Sequence, residues 1–248
     1  MLPLAGLVAK AGTMEAAPAW ALLSDPRTVS AFRVSFLTSA GAALLSVPIG
    51  VLLAWVLERY QVPGRRVLDA AIDLPFALPT AVAGIALTTL YVADGWLGRW
   101  LDPFGIMVAF TPLGIGVALL FIGVPFVVRT VQPVLSGVDR SAEEAAMVLG
   151  ATPMQIFRRV ILPALMPAVA TGAALAFARA VGEYGSVIFI AGNRPGVSEI
   201  APLLIVIKLE QFDYPGAALL GTAMLALSLL LLLTINWLQG LGRPRHAS

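Results

Sequence analysis

Long stretches without a charged residue constrain this sequence more than any other feature. Val34 to Leu57 carries no charge before Glu58, and Pro215 to Leu238 carries none at all. A helix needs about 20 mostly apolar residues to cross the hydrocarbon core of a bilayer. Charged residues make up only 12% of the chain, well below the roughly 25% of a soluble domain. The chain is therefore expected to lie in a membrane.

Five stretches are long enough to cross. They are Val34–Leu57, Ala70–Val92, Phe104–Val128, the run from Pro163 to Gly192, and Pro215–Leu238. They are too long for outer-membrane strands, which alternate over about ten residues, and a lipid-embedded backbone must satisfy its own hydrogen bonds. We therefore predict an all-α integral membrane protein with five spans. Residues 1–29 are expected to form a partial N-terminal helix and an interfacial segment, 30–240 the transmembrane domain, and 241–248 a cytoplasmic tail.

Several classes of function are disfavoured by composition. The chain has no cysteine and one histidine, His246 in the tail, so we identify no candidate catalytic or metal-binding residue and expect no cofactor. The formal net charge of +2 does not favour nucleic-acid binding. No Gly-x-x-x-x-Gly-Lys-Ser/Thr loop is present, so the chain is not expected to bind ATP.

Orientation follows from the basic residues near the ends of the spans. Arginines are more frequent beside the 58–69 loop, the 132–163 loop and the C-terminus than at the opposite ends. The excess of basic residues marks the cytoplasmic side. Trp96 and Trp100 are then expected at the outer membrane interface, where amphipathic rings favour the headgroup level.

The loop at residues 132–163 is the most informative segment. Ser141-Ala-Glu-Glu144 matches a capping box, and Ala145, Ala146 and Leu149 share one face of the helix that would follow. Gly150 is placed to end this helix. Thr152 and Pro153 are placed to cap and begin a second, with Phe157 on its apolar side and Leu162-Pro163 at its end. Two short helices joined at a glycine are predicted, projecting from the membrane.

The order Glu144-Ala145-Ala146, three residues, Gly150, nine residues, Val160-Ile-Leu162-Pro163 resembles the EAA signature of ABC importer permeases. Val160 is a mild departure, because the signature usually has Ile there. The resemblance implies the type I ABC importer transmembrane fold and a multi-pass location in the bacterial inner membrane. It also implies that the loop is a coupling element docked on a dimeric cytoplasmic ABC ATPase, which would bind ATP and Mg²⁺. We call residues 132–163 the coupling loop.

Three further stretches show which type of ABC importer permease the chain resembles most. They are Leu74-Pro-Phe-Ala-Leu-Pro-Thr-Ala-Val-Ala-Gly84, Gly123-Val-Pro-Phe-Val-Val-Arg-Thr-Val-Gln-Pro133 and Val181-Gly-Glu-Tyr-Gly-Ser-Val-Ile-Phe-Ile-Ala-Gly-Asn193. They are similar to sulfate/thiosulfate permease subunits of the CysT type. That likeness implies a second, related permease subunit and a periplasmic sulfate-binding protein as partners. It also implies a complete helix before the first span, of which Met1–Ala9 matches only the end.

Alternative functions stay open. Molybdate or tungstate permeases share the Gly-Glu-aromatic-Gly element around Glu183, so the transported oxyanion is not settled by that motif. A secondary transporter would be expected to show repeated halves or coupling-ion sites near the midplane. A membrane-embedded enzyme would need a cluster of catalytic side chains at membrane depth. Neither pattern is clear in the sequence.

Charges within the fourth span mark a candidate pathway. Arg179 and Glu183 are four residues apart on one helix face, and charges at this depth usually face the bundle interior or an aqueous cavity. One interpretation is mutual neutralisation. The other is that Arg179 offers its planar set of donors to a passing oxyanion, with Tyr184 beside it. After Asn193, Ser198-Glu199 is expected to cap a short helix from Pro202 to Lys208.

Overall fold

A computed structural model describes residues 2–241, and these residues form helices joined by turns and irregular segments, with no strand among them. Residues 242–248 of the predicted tail, with His246, lie outside the described residues. The longer helices are α1 (Leu2–Ala11), α2 (Ala16–Ser24), α3 (Pro26–Arg59), α4 (Arg65–Ala77), α5 (Thr80–Tyr91), α7 (Pro112–Gly137), α8 (Arg140–Val148), α10 (Leu162–Val181), α12 (Ala201–Glu210) and α13 (Tyr214–Leu241). Three are single turns: α6 (Gly98–Leu101), α9 (Pro153–Ile156) and α11 (Val187–Ile190).

The centre of the molecule is a three-helix bundle of α3, α7 and α10. Small residues bring these helices together. A β-carbon built on Gly50 of α3 would lie 2.6 Å from Cβ of Val127, and one built on Gly172 of α10 would lie 2.9 Å from the Val127 Cα. Close backbone approach of this kind drives helix association in lipid, where burial of apolar surface gives little. Around the bundle, α4 packs on α7, α12 on α3 and α13, and α1 on α13.

Four helices, or five if a bent pair counts as one span, are long and apolar enough to cross a membrane in the described part of the chain. The first and fifth predicted spans are confirmed as α3 and α13, although α3 begins earlier, at Pro26. Asp25 caps α3 by accepting a hydrogen bond from the Arg27 backbone N–H at 2.7 Å, with Pro26 at the first helical position.

The second predicted span is not one straight helix. It is divided into α4 and α5, whose axes differ in direction by 114°. The break falls at Leu78, which has an extended backbone (φ −81°, ψ 135°) and precedes Pro79. A proline disfavours helical geometry in the residue before it, so the break has a local cause.

The bounds predicted for the third and fourth spans were wrong. The third begins at Pro112 rather than Phe104, because residues 102–104 form a 3₁₀ turn that ends at Gly105 with φ +69°. It also continues past Arg129 to Gly137. The fourth is continuous with the coupling loop through a π-helical turn, Phe157–Ile161, so Leu162-Pro163 does not end a helix. It stops at Val181 rather than Gly192.

Candidate functional site

The first helix of the coupling loop, α8, is capped by Asp139 rather than by the predicted Ser141–Glu144 box. The Asp139 carboxylate accepts hydrogen bonds from the Ser141 backbone N–H at 2.9 Å and from the Ser141 hydroxyl at 2.6 Å. The bond from the Ser141 hydroxyl, and to a smaller extent the bond from its backbone N–H, hold the pKa of Asp139 below its usual value. The Ser141 hydroxyl is therefore a donor to the cap. The Glu144 side chain is exposed and has no hydrogen-bond or ion-pair partner within residues 2–241.

Gly150 ends α8, as predicted. Its φ is +81°, a left-handed conformation that glycine adopts at low cost. The Gly150 N–H donates to the Met147 carbonyl at 2.9 Å, and the Ala151 N–H donates to the Ala146 carbonyl at 3.0 Å. This pair of bonds is a Schellman motif, which satisfies carbonyls at the end of the helix. The chain direction therefore changes at Gly150.

The second part of the loop carries a complete capping box. The Thr152 hydroxyl accepts from the Gln155 backbone N–H, and the Gln155 side chain accepts from the Thr152 N–H at 2.8 Å. The predicted cap at Thr152 and the Pro153 start are confirmed. Ile156 and Ile161 are buried in the central core, whereas Met154 is exposed.

The base of the loop is attached to the end of α3. Arg59 forms an ion pair with Glu143 of α8, and both side chains are largely buried. The Arg59 guanidinium also lies 5.9 Å from the centre of the Trp55 ring, within the range of a cation–π contact. Trp55 in turn packs edge-on against Phe157, with ring centroids 5.3 Å apart. These contacts fix the base of the coupling loop to the end of α3.

The end of the coupling loop farthest from the helix bundle is apolar and exposed. Val148 is 88% exposed and Leu149 87% exposed, and both lie at the end of α8. Met147 and Met154 are also exposed, and we call these four residues the loop tip. The predicted apolar face of α8 packs inward only at Ala146, because Ala145 and Leu149 face outward. An apolar patch on a short projecting element is typical of a protein contact.

The three sequence stretches that carried the substrate resemblance meet in space. The Phe76 ring packs edge-on against Phe126, with centroids 5.2 Å apart. A β-carbon built on Gly185 would lie 2.1 Å from the Thr80 hydroxyl, and one built on Gly84 would lie 2.4 Å from the Ser186 carbonyl. Only glycine permits this approach. We call the region where residues 74–84, 123–133 and 181–193 meet the motif junction.

Arg129, within the motif junction, has every donor engaged. Its Nε and Nη2 atoms bind the two Asp73 oxygens at 2.9 and 2.6 Å. Nη1 donates to Asp69 at 2.9 Å and to Gln132 at 2.8 Å, and Nη2 also donates to the Asp69 carbonyl at 3.2 Å. A guanidinium has five N–H donors, so none is left for an anion. The neutralised charge explains why α7 continues through this position.

Arg179 differs from Arg129 in this respect. One of its terminal nitrogens pairs with Oε2 of Glu183, and its other nitrogens have no partner within the described residues. The Arg179 side chain is 37% exposed, whereas that of Glu183 is 3% exposed. Glu183 also accepts from the Ser186 backbone N–H at 3.0 Å and its hydroxyl at 2.9 Å. Tyr184 packs against the neighbouring core of α3 and α7.

The expected cap at Ser198-Glu199 is not formed, although a helix does follow, as α12. The Ser198 hydroxyl accepts from the Arg194 N–H, and the buried Glu199 carboxylate binds Arg27 through two hydrogen bonds of 2.8 and 2.6 Å. The first N–H of α12, on Ala201, is satisfied instead by the Ser35 hydroxyl at 2.8 Å. These contacts attach the segment to α3, so it is a packed part of the fold.

Comparison with known proteins defines the class of protein. Residues 46–247 match the family of binding-protein-dependent transport system inner membrane components. Two crystal structures of a bacterial ABC transporter that imports alginate have the same fold. One matches with TM-score 0.79 at 16% identity, covering 98% of this chain and 90% of that one. The other, in complex with an alginate-pentasaccharide-bound periplasmic protein, matches with TM-score 0.75 at 20% identity over 94% and 86% of the chains.

The chain belongs to this family of ABC importer permeases and has the type I importer transmembrane fold predicted from the EAA signature. Within the family it belongs with the CysT-type permeases. It is 51% identical to the sulfate transport system permease protein CysT of Synechocystis, over 100% of this chain and 86% of the relative. It is 49% identical to that of Escherichia coli, over 96% and 86%. It is accordingly a multi-pass protein of the inner membrane.

Sequence reasoning missed three features of the site. Asp139 was overlooked because Ser141 is also a common cap residue. The partners of Arg59 and Arg129 lie 84 and about 60 residues away in the chain, at Glu143 and at Asp69 with Asp73. The Asp69-Ala-Ala-Ile-Asp73 spacing, which puts two carboxylates on one helix face, was the available signal for the Arg129 cluster.

Proposed function

We propose that this chain is the membrane-spanning permease subunit of an ATP-driven importer that carries sulfate into the cytoplasm. The observation that carries the proposal is the near-full-length identity of about half with permeases named for sulfate transport. The Arg179–Glu183 pair, at the edge of the motif junction, supports it physically. Arg179 offers guanidinium donors that suit a tetrahedral oxyanion, and most of them have no partner within the described residues. Thiosulfate, a tetrahedral anion of similar size, is included as a second substrate.

The substrate is tested by uptake of radiolabelled sulfate into cells that express this subunit with its partner genes. We expect ATP-dependent uptake that is reduced by excess thiosulfate and resists excess molybdate. Cells with the same genes and an inactive ATPase provide the control. Uptake abolished by trace molybdate, or no sulfate uptake above the control, would move the substrate to another oxyanion while leaving the permease class intact.

We propose that the importer contains three further components. The chain has no phosphate-binding Gly-Lys loop, so ATP and Mg²⁺ would be bound by a cytoplasmic ABC ATPase dimer. A second, related permease subunit would complete a heterodimer, with the pathway between the two chains. A periplasmic sulfate-binding protein would deliver the anion at the outer face, by analogy with the periplasmic protein bound to the alginate transporter.

The coupling loop is the proposed contact with the ATPase. The tip offers exposed apolar side chains, which suit the helix-in-groove mode of recognition. The base is fixed to α3 through Arg59 and Glu143. Docking at the tip would thus move α3 and, through it, the bundle around the pathway. The proposed coupling residues are Ser141, Glu144, Ala145, Ala146, Leu149, Gly150, Phe157, Leu162 and Pro163, and the proposed pathway residues are Arg179, Glu183 and Tyr184.

The bend at Gly150 gives a test of the loop geometry. Gly150→Val forces a β-branched residue into a left-handed conformation, at a cost of about 1–2 kcal/mol, although there is open space around the site. We expect α8 to be redirected, so that sulfate uptake falls several-fold while the amount of inserted chain is unchanged. Gly150→Asn is the matched control, because asparagine tolerates this conformation. Equal uptake by the two variants would show that the bend does not matter for coupling.

A further inference from the structure

A small cavity, lined by both apolar and polar side chains, lies where α3, α7 and α10 meet the turn at 182–186. Its volume is about 10 Å³, and its polar lining comes from Ser35, Thr38, Ser39 and Glu183. Ile115 and Leu119 of α7 complete one wall. This volume is about that of one water-sized probe, close to the least that a buried water needs.

The Ser39 hydroxyl in this cavity has no hydrogen-bond partner among the described residues. Ser39 is 1% exposed, so its hydroxyl has been removed from solvent. Another buried serine on the same helix has a partner. The Ser46 hydroxyl is equally buried and donates to the Ala42 carbonyl at 2.8 Å. An unsatisfied buried hydroxyl is costly, and buried polar groups without a protein partner are commonly paired with ordered water.

The neighbouring groups have the hydrogen-bonding capacity that a water requires. The Ser35 hydroxyl accepts from the Ala201 N–H and still has its own proton to donate. The Thr38 hydroxyl donates to the Val34 carbonyl at 2.7 Å and can still accept. Glu183 is a carboxylate with unused lone pairs. A buried water typically makes about three such bonds, and this site offers up to four.

We propose that one water molecule occupies this cavity and joins Ser39 and Ser35 of α3 to the Glu183 carboxylate. It accepts from the serine hydroxyls and donates to Glu183 and Thr38. A neutral ligand fits better than a cation, because the charge of Glu183 is already balanced by Arg179. The water would hold the Glu183 turn against α3, and so fix the position of the Arg179–Glu183 pair. This inference does not depend on which anion is transported.

The sign of one stability change tests the proposal. The assembled transporter is placed in lipid nanodiscs, and the melting of this subunit is followed through a fluorescent tag. With water present, Ser39→Ala removes one hydrogen bond and should lower the melting temperature by about 2–4 °C. In a dry cavity the same change removes an unsatisfied hydroxyl, and the melting temperature should stay the same or rise. Ser46→Ala is the control. The Ser46 hydroxyl bonds only to the Ala42 carbonyl of its own helix, which keeps its backbone hydrogen bond after the change, so the melting temperature should fall less than with Ser39→Ala, or not at all.

Two further measurements examine the wild-type complex directly. A map of the wild-type complex that resolves ordered waters should show density within hydrogen-bonding distance of both the Ser39 hydroxyl and the Glu183 carboxylate. A dry cavity in that map would overturn the proposal. Replacing sodium with choline should leave wild-type melting unchanged. A melting temperature that falls without sodium in the wild type, but not in Ser39→Ala, would identify the occupant as a cation.

Discussion

Leu149→Asp should abolish sulfate uptake while leaving the permease folded and inserted. Leu149 is 87% exposed at the loop tip, so a polar replacement changes the stability of this chain by no more than about 0.5 kcal/mol. In an apolar groove of the ATPase, the same replacement removes an anchor and buries a charge. Loss of a central anchor costs about 2 kcal/mol or more, equivalent to roughly 30-fold weaker docking.

The measurement is sulfate uptake by proteoliposomes, together with the amount of ATPase that copurifies with the permease. Leu149→Met is the matched control, because a methionine of similar size should retain docking and most of the uptake. Val148→Asp should behave like Leu149→Asp. If Leu149→Asp retains both the ATPase and wild-type uptake, the loop tip is not the docking surface.

Local chemistry explains the parts of the coupling loop that could be predicted from sequence. Gly150 needs only its own left-handed conformation and two backbone hydrogen bonds within five residues. Thr152 and Gln155 cap one another three residues apart. All the interactions that form these features lie within a short segment, so the local sequence is enough to predict them. The choice between Asp139 and Ser141 was not determined in this way, since both residue types favour the cap position.

Long-range pairing explains what could not be predicted. The charge on Arg129 indicated a span end, but α7 continues to Gly137 because Asp69 and Asp73 of α4 neutralise that charge. The partner of Arg59 is also distant in the chain, because Glu143 belongs to a different helix. The bend before Pro79 had a local signal in the residue preceding proline. The run from Ala70 to Val92 is nevertheless long and mostly apolar, which by itself predicts a single span.

Two interpretations of the Arg179–Glu183 pair can be separated experimentally. Either the two charges only neutralise each other, or Arg179 also contacts the passing oxyanion. Arg179→Met leaves the Glu183 carboxylate buried without its cation. Removing one partner of a fully buried pair costs about 3–5 kcal/mol, and the 37% exposure of Arg179 places the loss towards or below the lower end of that range. We expect strongly reduced assembly of the transporter, measured as the amount of intact complex extracted from membranes.

The double variant Arg179→Met with Glu183→Gln should recover assembly. Glutamine is neutral, and its side-chain oxygen can still accept both hydrogen bonds from Ser186. Glu183→Gln alone should also assemble, because Arg179 is partly exposed to solvent, and it serves as the control. In these variants no buried carboxylate needs Arg179 as its cation, and the turn at Glu183 keeps its hydrogen bonds to Ser186.

Sulfate uptake by the double variant then reports what Arg179 does beyond pairing with Glu183. Most of its donors are unengaged within the described residues, in contrast to the saturated Arg129. We therefore expect uptake per assembled complex to fall more than about tenfold, equivalent to about 1.4 kcal/mol of lost anion stabilisation, while Glu183→Gln retains most of its uptake. Wild-type uptake by the double variant would instead mean that the pair only holds the bundle together, and that the anion passes without contacting this guanidinium.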